Sequence, residues 1–512
     1  MGIALRRTAY SPNIKERMDA SCALFDAGGR MIAQAEHIPV HLGSMPVTIE
    51  VLREEMGGSL VDGDQVIVND PYRGGSHLPD ITLVRPIFHR GFLRGYAVNK
   101  AHHADVGGSA PGSMPADSVV LEDEGLVIPP TKFLSRGIER REIMKTIARG
   151  TRNPAERIGD LRAQVAANNL GASRYVALLE KYGITAIDSF AIEILAHSER
   201  RVRAAIGTIP RGSWRAEDTI EAPGTEEPLR IVAEVTVGGS GIHIDFRGTA
   251  PQIEGNLNAP LSVTLSAAYY IFRCLTDPEA PANSGCYAPI TVEAPRGCLV
   301  NARSPAAVAA GNVETSTRIV DVILLAMAPA LPDRVPAQSQ GTMNNLLIGG
   351  RWRGREFSYY ETIAGGEGAF PYRDGMDGVH THMTNTRNTP AEALELAYPL
   401  RVEEYRLIPG SGGRGLHRGG DGIRRTVRFL GDRGTLTIVA DRRRKGPSGL
   451  SGGLPGRRGR DALLSRRTMQ VLPSKTTRPI LRGEQIVMES PGGGGWGVPP
   501  GRPSRSRPSS RP

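Results

Sequence analysis

His77 and Asp80 stand three residues apart in GGSHLPDITLV (74–84), and His102 and His103 stand side by side in AHHADVGG (101–108). A catalytic divalent metal takes two or three imidazole and carboxylate ligands and keeps a position open for water, so these residue types suit such a centre. In an extended strand, residues three apart point to opposite faces, and His77 and Asp80 converge only if SHLPD is a bend. Pro79 and the glycines at 74 and 75 favour one. Neighbouring histidines in a strand also face opposite ways, so one of His102 and His103 at most enters a given pocket, and spacing does not say which. A loop histidine is, taken alone, more often a satisfied polar group. The occurrence of His77, Asp80 and His102/His103 together at glycine-flanked strand ends favours a shared site. His37 and His41 lie in the same N-terminal part, and His380 and His382 form a second small cluster.

Phosphate chemistry is mostly excluded. A P-loop needs GxxxxGK[ST], and none of the seven lysines follows a glycine. GSGGRG (410–415) formally matches a dinucleotide fingerprint, but LHRGGDG follows it where a helix is required. The glycine loops at 411–422 and 490–497 read as tight turns, with an anion site through backbone N–H groups as the alternative. No strand-to-helix nucleophile elbow supports a serine hydrolase. Asn312, Glu314 and Thr315 precede a helical run and suit capping, whereas Glu361, Glu367, Thr384, Asn385 and Asn388 sit in polar loops. Asp160 and Gln164, one helical turn apart, read as a surface pair.

The elements that must position these residues are mixed. Residues 20–130 alternate short apolar runs with Gly/Asp turns, as strands do. Residues 135–208 carry apolar residues at three- and four-residue steps, as helices do, with Asn153-Pro154 opening the second of them. LRIVAEVTVGGSGIHIDFRGTA reads as a hairpin around Gly238-Gly239, SVTLSAAYYIFRCLTD and STRIVDVILLAMAPAL as buried helices, and the chain beyond 340 as strands and glycine loops. With 512 residues, no repeat and no internal linker, the expectation is an α/β mixed (α+β) fold: one interlocked β-rich body at 1–497 with a helical insertion, then a disordered basic tail at 498–512.

Charge and cysteine usage narrow the class. The formal charge of +10 is uneven: residues 441–512 hold 16 Arg and Lys against 4 Asp and Glu, hence +12, which leaves −2 for the rest. A nucleic-acid-binding face would spread across the fold, so none is expected. Cys22, Cys274, Cys286 and Cys298 have no CxxC spacing and read as free thiols in a reducing compartment. No apolar run is long enough for a membrane span, and no secretory signal is visible. A cytoplasmic protein is expected.

Together, SPNIKERMDASCALFDAGGRMIAQAEHIPVHLGSM, VNDPYRGGSHLPDITLV, AHHADVGG, GDLRAQVAANN, YYETIAGGEGA, MTNTRNTPAEALE and SPGGGGWG strongly resemble the hydantoinase B/oxoprolinase family, from about residue 5 to 497. That family includes B subunits of ATP-dependent N-methylhydantoinases, the C-terminal half of 5-oxoprolinase and a large subunit of acetone carboxylase. The resemblance implies a hetero-oligomer in which an A-type, ATP-binding partner phosphorylates the carbonyl of a cyclic amide, while this chain holds the activated ring at a divalent metal (Mn, Zn or Mg). It carries the ligand roles to His77, Asp80 and His102, with His103 the alternative and Asp19 a further possible ligand; Asp105 or Glu361 would take a proton. It leaves a carboxylase component and a non-catalytic scaffold as competing readings. The Arg/Ser/Pro ending is outside the family pattern, and relatives usually carry an additional helix before ALRRTAYSPN.

Overall fold

A computed structural model describes residues 1–500 except Glu36 and Arg467. Alternating short apolar runs between Gly/Asp turns fold, as expected, into an antiparallel seven-stranded sheet. Its strands are β1 (Ala20–Asp26), β2 (Met31–Ala35), β3 (Gln65–Val68), β4 (Asp80–His89), β5 (Phe92–His102), β6 (Thr131–Ser135) and β7 (Ile138–Glu139), in the order β2-β1-β5-β4-β3-β6-β7. Both neighbours of β4 and β5 are strands, so these two central strands are the least free to shift.

The helical segment follows, with helices Arg141–Gly150, Pro154–Tyr182 and Ile184–Ile206. Pro154 sits at the first position of the second helix, where its missing N–H costs nothing. That helix packs on β4 and β5, and its buried face carries Leu161, Ala163, Ala167 and Ala172 beside the polar Asp160, Gln164 and Asn168. Small residues let the helix approach the sheet closely, and the polar ones bond to it.

A second sheet of β8 (Gly212–Ile220), β9 (Leu229–Gly238), β10 (Gly241–Asp245) and β11 (Ile290–Glu293) contains the expected hairpin, closed by the pair Gly238 and Gly241. Helices Leu261–Leu275 and Ser316–Met327 are buried beside it. The remaining strands are β12 (Asn345–Trp352), β13 (Arg355–Thr362), β14 (Leu400–Leu407), β15 (Ile423–Phe429), β16 (Arg433–Val439), β17 (Arg460–Leu464), β18 (Met469–Leu472), β19 (Lys475–Leu481) and β20 (Gln485–Glu489). They form sheets of order β13-β12-β16-β19 and β14-β15-β20-β17-β18. One large apolar core joins the first sheet, the second sheet and the two buried helices, and a second lies between the last two sheets. The mixed α/β expectation therefore holds; of the expected tail, residues 501–512 lie outside the described residues.

The glycine loops pack backbone against backbone. Gly366 N donates to Pro491 O (3.0 Å), Gly420 N to Glu367 O (2.8 Å) and Gly493 N to Gly420 O (2.9 Å). A Cβ on Gly493 would stand 1.9 Å from Glu367 O, so only glycine fits there. These N–H groups are already committed, which removes the anion-site alternative for them.

A buried ion network ties the second sheet to the chain after β16. The Arg318 guanidinium meets Asp218 (3.2 Å), Asp321 (2.7 Å) and Asp441 (3.0 Å), while Arg442 meets Asp218 and Asp321 (both 2.8 Å) and Lys475 meets Asp441 (3.2 Å). Removing one cation leaves buried carboxylates uncompensated. Arg318→Met is expected to lower stability by about 3–5 kcal/mol, read from denaturant unfolding of the metal-free chain.

Candidate metal centre

The antiparallel ladder of β4 and β5 places Asp80 directly opposite His102, which puts both side chains on one face. Ahead of β4 the chain bends: Gly74 takes a left-handed φ of 91°, and Asp80 N donates to His77 O at 3.0 Å. The bend returns His77 to the Asp80 side. His77 Nε2 then lies 3.2 Å from His102 Nδ1 and 3.3 Å from Asp80 Oδ1, and His102 Nδ1 lies 3.2 Å from the same oxygen.

These separations suit a cation. Ligand atoms about 2.0–2.1 Å from one ion stand roughly 2.8–3.4 Å apart, from octahedral to tetrahedral arrangements. His77 Nδ1 and His102 Nε2 are buried without hydrogen-bond partners, so no bond through those atoms fixes the orientation of either ring. The space at the site is ≈ 20 Å³, enough for an ion or a water and too little for a ring.

Asp80 is held ionised. Burial alone would raise its carboxyl pKa, but the charge of His77 and bonds from His102, His41 and His77 keep it well below the usual carboxylate range. Its other oxygen, Oδ2, accepts from Ser76 Oγ (2.5 Å) and stands 3.5 Å from His41 Nε2. Burial pushes His102 down, partly opposed by the Asp80 bond, a shift that favours the neutral ring. Burial likewise pushes Lys100 down to about 8, with Asp80 opposing; its Nζ donates to Ser44 Oγ at 2.8 Å.

Two members escape sequence reasoning as site residues. His41 reaches Asp80 from the short turn Pro39–His41, with Nδ1 2.9 Å from Ser21 Oγ, and the apolar residues around it in the chain carry no chemical signal. Tyr360, on β13, stacks on the His102 ring at 4.6 Å and bonds Asn345 Oδ1 through its hydroxyl at 3.0 Å. A tyrosine in a strand looks like core.

The other expected residues divide clearly. His103 faces away from the cluster, its Nε2 2.9 Å from Gln164 Oε1, because strand alternation sends it to the helix side. Asp19 lines the cavity, with Arg17 4.0 Å from its Oδ2. Asp105 and Glu361 do not line it. Asp105 accepts from the N–H groups of Gly107 and Gly112 and from Arg152, pinning its own loop. Glu361 is buried against Tyr359, Thr389 N and Arg425, on the face of β13 opposite Tyr360. Asp160 and Gln164 are buried rather than a surface pair: Asp160 accepts from Tyr10 N and Ser11 N, and Gln164 Nε2 bonds Ile81 O and Asn99 Oδ1. Asn312 reaches the cavity wall from a π-helical turn at Gly311–Thr315, and Thr384 and Thr386 reach it from the polar loop after His382.

Fold and site define a mixed α/β protein with a buried His-Asp-His cluster of the residue types and spacing that could hold a metal ion. The chain belongs to the hydantoinase B/oxoprolinase family, whose family model matches residues 1–499. It is 39% identical to 5-oxoprolinase 1 of Arabidopsis thaliana over 523 residues, covering 97% of this chain and 40% of that one; it thus spans about two-fifths of that relative. The B subunit of a putative D-/L-hydantoinase from a Pseudomonas species is 34% identical over 98% of this chain and 87% of its own. The crystal structure of an ATP-dependent caprolactamase from Pseudomonas jessenii superposes with a TM-score of 0.90 at 27% identity, over 97% of this chain and 88% of that one. Among the described residues, no helix is long and apolar enough to cross a membrane.

His102→Ala is expected to weaken divalent-metal binding at least tenfold, whereas His103→Asn should leave it within about threefold, measured by metal content after dialysis and by calorimetric titration. His380 and His382 are pushed down to about 4 by burial, so only the unfolded chain takes up their protons between pH about 6.5 and 4. Stability is full above that window and falls as the pH drops through it. Denaturation midpoints of the metal-free chain should show this fall, and His382→Asn should make it shallower.

Proposed function

We propose that this chain is the B-type component of an ATP-dependent cyclic-amide hydrolase, acting on a lactam or hydantoin ring whose carbonyl oxygen an A-type partner has phosphorylated. The observation that carries the reading is the convergence of His77 Nε2, His102 Nδ1 and Asp80 Oδ1 within 3.3 Å of one another, in a chain similar to a 5-oxoprolinase and to the B subunit of a hydantoinase. Partner and ATP belong to the proposal, which the lack of a P-loop in this chain supports.

The chemistry needs both halves. Amide resonance protects an unstrained ring; O-phosphorylation removes it and leaves an imidate-like carbon open to water. Water adds at that carbon, and the C–N bond breaks as nitrogen takes a proton. The resulting acyl phosphate is then hydrolysed to a carboxylic acid and phosphate. A divalent ion held by His77, Asp80 and His102 would supply Lewis acidity and lower the pKa of a water.

This chain's own residues prepare that site. Ser76 and His41 occupy Asp80 Oδ2, which leaves Oδ1 turned to the two imidazoles. Tyr360, Val313, Met343 and Met383 wall the cavity with apolar surface and keep bulk water out, which strengthens every charge inside. Asn312, Thr362 and Thr384 add hydrogen-bonding groups to the same wall, for a water held there. Asp19, the second carboxylate on the wall, would take the proton of the attacking water.

Co-expression with an A-type partner, followed by assay of ATP-dependent glutamate release from 5-oxoproline or of ring opening of a hydantoin, tests the reading. Asp80→Asn and His77→Ala should each lower the rate at least 100-fold and deplete bound metal; full activity in both variants would overturn the metal role. ATP hydrolysis by this chain alone would overturn the division of labour. ATP-dependent incorporation of bicarbonate into a ketone, without ring opening, would instead favour a carboxylase. Dialysis against a chelator should abolish ring opening, and Mn, Zn or Mg should restore it.

A further inference from the structure

Part of the charge excess after residue 440 lines one groove. Arg443 and Arg444 follow β16, Arg457 and Arg458 precede β17, Arg460 opens it, and Lys475 opens β19. All six line a groove of ≈ 890 Å³ that has only two carboxylates, Glu221 and Asp461, on its walls. A size near the upper end of ordinary small-molecule sites and a lining of six cations against two anions set this groove apart from the metal cavity.

Asp461 is fully engaged and Glu221 through one oxygen, its Oε2 being buried without a hydrogen-bond partner. Asp461 receives both arms of Arg443, at 2.8 and 2.9 Å. Glu221 Oε1 accepts the N–H groups of Arg443 and Arg444, both at 2.7 Å. The Arg444 guanidinium bonds only carbonyl oxygens, of Thr225 (2.7 Å) and Glu226 (2.9 Å). Arg457 has Glu489 at 3.4 Å and is 53% exposed. Among the described residues, the Arg458 side chain has no ion-pair or hydrogen-bond partner, and Arg460 has only the Met469 sulfur at 3.8 Å. Arg444, Arg458 and Arg460 thus line one groove with no guanidinium among them paired to a carboxylate. Like charges so held repel, and an anion with several negative charges relieves that repulsion. Guanidinium forks match phosphoryl oxygens bidentately, and Pro223, Val471 and Pro473 give the same groove an apolar side suited to an organic body.

We propose that this groove is a binding site for a phosphoanhydride-bearing small molecule, of inorganic polyphosphate or nucleotide origin. It is separate from the metal centre and does not rest on the proposed hydrolase reading. Calorimetric titration of the full chain with inorganic tripolyphosphate and with ATP tests it and separates the two sources: equal affinity points to the phosphates alone, and tighter binding of ATP to a nucleotide seated on the apolar side. Both are expected to bind more weakly as salt rises. The triple variant Arg457→Glu/Arg458→Glu/Arg460→Glu, confined to exposed side chains, should lose at least tenfold in affinity, while Arg211→Glu, at an exposed position outside the groove, should not. Circular dichroism and an unchanged unfolding midpoint show that the triple variant is folded. Absence of binding to the native chain, or equal affinity in the triple variant, overturns the proposal. Loss of co-purification with the A-type partner in that variant, together with no binding of either probe to the native chain, also overturns it and assigns the groove to an acidic protein partner.

Discussion

The register between β4 and β5 is the constraint on which the centre depends. Pairing Asp80 with His102 puts carboxylate and imidazole on one face, and the next residue, His103, necessarily on the other. A slip by one residue would exchange His102 for His103 and disperse the set. The register is held from behind: Gln164 and Asn168 of the helix Pro154–Tyr182 bond Ile81 O, Leu83 O and the Asn99 side chain. Polar side chains buried on a helix face would destabilise it if unpaired; paired to strand backbone, they fix one alignment of helix against sheet. His103 is a member of that rear lattice, and its neutrality, with the ring pushed down to about 4 first by burial and then by Arg157, suits a hydrogen-bonding role.

At two of the places where this fold buries charge, it serves different ends. The Arg318 network balances three carboxylates with Arg318, Arg442 and Lys475 and joins elements far apart in sequence. Around Asp80 the balance rests on imidazoles, which carry a full positive charge only when protonated, and on Lys100, which burial pushes down to about 8. A cluster so composed is electrostatically open, since neutral rings leave the carboxylate short of compensation. A divalent ion held by His77, Asp80 and His102 would complete the balance. The same residues would thereby be a stability cost without the ion and a binding site for it.

Much of this was legible in the sequence, and what was not has physical causes. Pro79 and the two glycines disclosed the bend that brings His77 back to Asp80. Strand alternation showed that only one of His102 and His103 enters the site, but choosing between them needs the pairing register, a non-local quantity. Asp105 and Glu361 drew attention as carboxylates beside glycine loops. A carboxylate that accepts its own loop's N–H groups has the same local sequence as one aimed at a substrate. Asp160 and Gln164 matched the spacing of an exposed helix pair because periodicity does not reveal which partners come from other elements. His41 and Tyr360 reach the cavity through tertiary packing alone, and the family resemblance carried the site further than spacing could.

The distribution of glycine and arginine late in the chain has a common explanation in close backbone packing. Loops around 366, 420 and 493 run within hydrogen-bond distance of one another, so side chains cannot lie between them. Their backbone polar groups are satisfied internally, and the structure there needs neither a bound anion nor an apolar core. Of the cationic side chains that flank this layer, Arg442, Arg443 and Lys475 are buried in ion pairs, whereas Arg457, Arg458 and Arg460 are exposed and line one groove. Charge that is concentrated late in the chain is thus in part concentrated in space as well. The even balance of the first 440 residues around the metal cavity leaves that site shaped by a few buried groups and short distances, whereas the groove works through summed field. The two regions follow different electrostatic rules within one fold.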